Sequence, residues 1–134
     1  MAKFELQPGE QLLKQNAVRY QRSRRRFVPG PCYLTDRRFV HTDATRSMAV
    51  GGLVGALLMK AKVDADIPLA AITGISRGRF GRKQEIITLE TGPEGHNFVA
   101  PFEEWLAAFR EALHAFHATA LAEHEPGRWL AYRR

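Results

Sequence analysis

A bulky stripe recurs towards the C-terminus: Phe102, Trp105, Leu106, Phe109, Leu113 and Phe116 fall three and four residues apart, and Ala120 and Leu121 continue it. That spacing predicts an amphipathic helix. Pro101 suits its first turn, Glu103 and Glu104 complement the dipole there, and Pro126-Gly127 ends it. Such a stripe has to be buried against something, and upstream of it the chain breaks into short β-compatible runs.

The clearest run is Gly30 to His41. Tyr33, Leu34, Phe39 and Val40 fit a pleated surface, hinged at Thr35-Asp36-Arg37-Arg38. Asp36 is expected to accept a hydrogen bond from its own turn backbone. Residues 17–28 look extended, and in one strand Arg22, Arg24 and Arg26 would share a face with Arg25 opposite. An edge strand guarded by charge explains the same pattern without a ligand. Before them, Pro8-Gly9 breaks the chain and Leu12 and Leu13 sit in a short helix-like piece. Asp66 to Arg79 reads as a strand with Pro68 near its start, Gly78 to Lys83 as a turn, and Glu85 to Thr91 as the partner strand. Gly92 to Gly95 is a further turn, and His96 to Ala100 a last short strand. Roughly seven short strands and one helix describe a curled antiparallel sheet whose opening the helix plugs.

Met48 to Met59 carries no polar side chain. Val50, Leu53, Val54, Leu57 and Leu58 share one helical face, with Gly51, Gly52, Gly55 and Ala56 on the other. Three glycines cost a helix about 3 kcal/mol relative to alanine, whereas burying five aliphatics stabilises it by roughly 7–15 kcal/mol. Burial wins, so this face must be covered by the domain's own sheet, a second copy, or lipid. Arg46, Lys60 and Lys62 flank the segment as they would an interfacial helix.

The net charge of +6 is uneven: residues 1–83 hold 16 Lys/Arg against 6 Asp/Glu, and residues 84–134 hold 4 against 8. A basic half fits a polyanionic partner or a solvated face. With one cysteine, Cys32, there is no internal disulfide, and the expected compartment is reducing. There is no secretory h-region, and no apolar run approaches the roughly 20 residues that span a bilayer. Cytoplasmic is the expectation, with peripheral attachment at the inner membrane face.

Catalytic and metal signatures are thin. His114 and His117 with Glu111 read as solvated helix positions rather than a metal set, and Cys32 as a small buried hydrophobe. There is no nucleophile elbow or phosphate-cradling P-loop. The expectation is a non-enzymatic chain with no cofactor and no metal. The most informative stretch is Arg77, Arg79, Phe80, Arg82 and Lys83, an aromatic among cations on a hairpin tip. Four cations near an anionic leaflet contribute about 1 kcal/mol each, and Arg22, Arg24 and Arg26 add to them. The same arginines could serve nucleic acid, but the acidic last helix would repel phosphate. The apolar face at Val50, Leu53, Val54, Leu57 and Leu58 is the protein-contact or homo-oligomer alternative.

Taken in order, Gln7-Pro8-Gly9-Glu10, Gly30-x-x-Tyr33-Leu34-Thr35-Asp36-x-Arg38-Phe39-Val40, Ile67-Pro68-Leu69-x-x-Ile72, Gly92-x-x-Gly95-x-x-Phe98 and Phe102-x-x-Trp105 resemble a GRAM domain or a related bacterial pleckstrin-homology-like (PH-like) domain over roughly residues 5–120. The resemblance implies an α+β, mainly β fold: a partly open seven-stranded antiparallel barrel capped by a C-terminal amphipathic helix. It implies one domain over 1–125, with an apolar Gly-rich insertion at 44–64 and a tail at 126–134. It also implies a recruitment module that binds anionic phospholipid or a protein partner. Arg38 is expected to be structural, satisfying turn carbonyls.

Overall fold

The computed structural model describes residues 6–23, 26–43, 62–80 and 84–133 of the chain. The antiparallel strands β1 (Leu12–Ser23), β2 (Arg26–Thr35), β3 (Arg38–Asp43), β4 (Lys62–Pro68), β5 (Gly74–Phe80), β6 (Gln84–Thr91) and β7 (Glu94–Val99) precede helix α1 (Phe102–His117). Two more follow it, β8 (Thr119–Glu125) and β9 (Arg128–Arg133). All lie in one sheet of order β4-β3-β2-β1-β7-β6-β5-β9-β8. The described residues thus hold nine strands rather than seven, and the helix is not the last element.

The β2–β3 turn is built differently from the expectation. Thr35 Oγ1, not the Asp36 carboxylate, accepts the turn amides of Arg37 (3.1 Å) and Arg38 (3.0 Å). Asp36 Oδ1 instead accepts the amide of Gln11 (2.9 Å). Leu12 and Leu13 accordingly begin β1 rather than a helix-like piece. Arg38 reaches carboxylates rather than turn carbonyls. Its Nε and Nη2 donate to the two oxygens of Glu10 (2.9 and 3.1 Å), and Nη1 to Asp66 (3.0 Å). The Glu10 side chain is fully buried and also accepts the Thr35 hydroxyl (2.6 Å) and the Gln7 amide (2.8 Å). Gly9 makes this approach possible: its φ is +80°, and a Cβ there would stand 3.1 Å from the Arg37 guanidinium.

Asp66 to Arg79 is not one strand. Pro68 lacks the N–H to extend the ladder beyond its pairing with Arg38, so β4 stops there. A short 3-10 turn over Leu69–Ala71 then drops Leu69 and Ile72 into the core. Their burial replaces the lost pairing.

The helix covers one face of the sheet. Phe102, Trp105, Leu106, Phe109 and Leu113 are buried, while Phe116, expected in the same stripe, is 46% exposed. Phe39 organises the contact, with Phe98 edge-on at 4.7 Å, Phe109 at 5.3 Å and Trp105 at 5.6 Å between ring centroids. The helix ends at His117, where Ala118 takes a left-handed φ of 47° and its amide caps Leu113 O. It does not run to Leu121, which is buried as a strand residue. Pro126-Gly127 turns β8 into β9, with Gly127 at φ +82°. Residues 126–134, read as a tail, therefore contribute a strand paired to β5.

Asp43 and Lys62 are ladder partners. The insertion expected at 44–64 is thus shorter at its C-terminal end, since 62–64 belong to β4. Its apolar positions Val50, Leu53, Val54, Leu57 and Leu58 lie outside the described residues.

The buried carboxylate sets an acid limit on stability. Hydrogen bonds from Arg38, then from Thr35 and Gln7, outweigh desolvation and hold the Glu10 pKa at about 2, against 4.5 ordinarily. A depressed carboxylate stabilises the fold above its unfolded pKa and loses that contribution as the pH falls through the folded one. Between pH 5 and pH 2 the wild type is expected to lose about 3 kcal/mol of stability that a Glu10→Gln variant does not. Urea midpoints across that range measure it, and equal slopes for both proteins would refute it.

Candidate functional site

The twelve residues of β1 and ten of β2 pair from Leu12↔Thr35 to Ser23↔Arg26, outrunning their neighbours. β3 registers only with Cys32–Leu34 of β2, and β7 only with Arg19 and Tyr20 of β1. The end of the hairpin from Gln21 to Phe27 is therefore a two-stranded arm. Its root is braced: Tyr20 packs on Phe98 (5.1 Å) and His41 (5.7 Å), and Asn97, held by Thr88, donates to Gln21 Oε1 (2.8 Å).

The chain carries no Asp or Glu between Glu10 and Asp36, so the arm's charge is uncompensated from within. Arg22 sits at a register shift in β1 and Arg26 opens β2, so the two belong to different strands rather than one alternating face. Arg26 is exposed. Arg24 lies outside the described residues, as does Arg25. Arg19 joins the arm at its root, its guanidinium 6.0 Å from the Phe27 ring centroid. The sequence reading passed over Arg19, although it is a fifth arginine within residues 19–26.

The β5–β6 cluster lies elsewhere. Rows of the sheet run Arg19–Val99–Ile86–Gly78, so the β5–β6 turn falls on the opposite side of that row from the β1–β2 tip. The fold thus splits the cations that the sequence grouped. Arg77 is committed within the chain, to Glu85 (2.6 Å), to Glu103 (3.4 Å) and over the Phe102 ring (5.0 Å). Arg79 stands opposite Glu85 in the ladder and Phe80 opposite Gln84. Arg82 and Lys83 lie outside the described residues.

Ion pairing sharpens the contrast. Lys14–Glu104, Arg38–Glu10/Asp66, Arg77–Glu85/Glu103 and Arg128–Glu90/Glu125 take up four cations and seven carboxylates. Outside these pairs sixteen Lys/Arg stand against seven Asp/Glu in the whole chain. The paired carboxylates gather around α1 and the strands beside it, away from the arm.

Catalytic groups do not converge. Cys32 is fully buried, and desolvation pushes its thiol up to about 12, so no thiolate forms near neutral pH. No cluster of three metal-ligating side chains occurs among the described residues. His117 Nε2 donates to Asp36 O (2.8 Å), pinning the helix end to the β2–β3 turn. Two grooves flank α1, about 340 Å³ on the β1 side and about 360 Å³ on the β8 side. Among the described residues no helix is long and apolar enough to cross a membrane.

No protein-family model matches the chain, and no curated protein matches it. Solved structures do. The chain is similar to a ternary complex of human RhoA, its inhibitor and the DH/PH domain of human ARHGEF11 (TM-score 0.52, 13% identity, 79% of this chain, 30% of that one). It is also similar to the DH/PH fragment of PDZRHOGEF in complex with human RhoA (TM-score 0.53, 14% identity, 79% of this chain, 29% of that one). The chain spans under a third of those lengths, and the likeness is one of fold. That fold is PH-like: an open antiparallel sheet closed by one helix, here extended past β5 by β9 and β8.

Proposed function

We propose that the chain is a non-enzymatic, GRAM-like recruitment module of the cytoplasm that binds anionic phospholipid surfaces through the β1–β2 arm. The arm carries the reading: a braced two-stranded projection whose cations have no acidic neighbour in sequence from Glu10 to Asp36. Diffuse charge on a short hairpin suits a sheet of headgroups better than a single small ligand, since each cation near an anionic leaflet contributes about 1 kcal/mol and salt screens it. The β5–β6 cluster contributes less, because Arg77 is already paired and Glu85 and Glu103 adjoin it.

Co-sedimentation with phosphatidylcholine vesicles, with and without phosphatidylserine, tests this at low and high salt. Changing Arg22, Arg24 and Arg26 together to alanine is expected to weaken binding to anionic vesicles about 100-fold. Changing Arg79, Phe80 and Arg82 is expected to weaken it less than about threefold. Absence of pelleting at low salt, or displacement by a single-stranded oligonucleotide at equal phosphate, would defeat the membrane reading.

A further inference from the structure

The groove on the β1 side of α1 belongs to neither the arm nor the ion-pair network that closes the fold. Its floor is Ala108, Ala112 and Ala115, small residues spaced four and three apart along the helix. Leu13 and Phe116 stand at its sides, 39% and 46% exposed, where a protein of this size normally keeps large apolar side chains covered. A row of alanines between two bulky walls runs along the helix axis and admits the ridge of a second helix.

The charge of the rim is opposite to that of the chain. Glu111 is an exposed groove residue, and Glu104, half exposed, stands beside it in an ion pair with Lys14 (2.6 Å). The carbonyl end of α1 at Phe116 and His117 adds partial negative charge. On a chain of net charge +6, a cationic partner is repelled by most of the surface and drawn to this strip.

We propose that this groove is a docking site for an amphipathic helix of a partner protein, one presenting an apolar face with Lys or Arg at its border. Two bulky side chains of that helix, one turn apart, fill the space between Leu13 and Phe116, and its cations meet Glu111 and Glu104. The surface is separate from the membrane-binding arm, and the test of one does not depend on the other.

The probes are two synthetic peptides of about 18 residues, long enough to hold a helix, one patterned with Leu and Lys and the other with Leu and Glu. Each is titrated into the isotope-labelled full chain by NMR. The Leu/Lys peptide is expected to shift the amides of Leu13, Ala108, Ala112 and Phe116. The Leu/Glu peptide is expected to bind at least about tenfold more weakly. Phe116→Ser and Leu13→Ser, both at exposed positions, are each expected to weaken the first peptide at least about tenfold, and Glu111→Lys to erase the preference between the two. Shifts centred on the β1–β2 arm, equal binding of both peptides, or an unaffected Phe116→Ser variant would overturn the assignment. So would concentration-dependent shifts at the groove without any peptide, which would make its occupant a second copy.

Discussion

Replacing Arg38 with alanine is expected to lower the free energy of unfolding by about 3–5 kcal/mol. The argument rests on what stays behind. The Glu10 side chain has no exposed surface, and the Arg38 side chain only 15%. Without the guanidinium fork, a carboxylate remains in the interior with the Thr35 hydroxyl and the Gln7 amide as its remaining donors. Asp66 loses its partner as well, so the N-terminal segment, the β2–β3 turn and β4 come apart together. Lysine is expected to recover less than half of the loss, because one ammonium cannot address both oxygens of Glu10 and Asp66 at once. The double variant Glu10→Leu/Arg38→Met is expected to be more stable than Arg38→Ala, since it removes the charges rather than stranding one. Urea midpoints at neutral pH, with slopes unchanged, read all three. An Arg38→Ala protein within about 1 kcal/mol of wild type would show that the cluster is a solvated surface pair.

That cluster also marks the limit of what local pattern can reveal. Tyr33, Leu34, Phe39 and Val40 announce a hairpin because alternation is local. The Arg38–Glu10 pair spans 28 residues and leaves no local trace. Thr119, Ala120 and Leu121 suit the helix period and strand alternation equally well, so the helix seemed to continue. What stops it is a tertiary demand: Leu121 is buried in the core and β9 waits to pair with β8. Arg77 and Arg79 look alike in sequence; only the fold brings Glu85 and Glu103 to Arg77. The basic run at 19–26 was visible, but that it forms an arm depends on how short β3 and β7 are beside it. The PH-like architecture was legible because seven short runs and one apolar stripe leave few ways to build a core.

Cutting the chain after Ala118 is expected to destabilise it by about 4 kcal/mol or more, and to leave it prone to aggregate. The removed hairpin takes with it Leu121, buried to 9% exposure and worth about 1.5–3 kcal/mol. It also takes Trp129, whose ring lies 5.4 Å from that of Phe102 at the start of α1. Glu90 loses both oxygens' partner, the Arg128 guanidinium at 2.9 and 3.2 Å. The amides of Arg77 and Ala131 are tied to Gly127 O and Thr73 O, so the loss reaches both strands of the β5–β9 seam. The freed edge of β5 then presents unpaired backbone groups to other chains. A seven-stranded sheet with one helix would be a complete PH-like unit if β8 and β9 were an appendage, and the truncated protein would keep the wild-type melting temperature. A Trp129→Ala variant, expected to lose about 2 kcal/mol, separates loss of this one contact from loss of the whole seam. If it matches the truncation, Trp129 against Phe102 accounts for the effect and the strand pairing adds nothing; if it falls well short, β9 holds β5 in place.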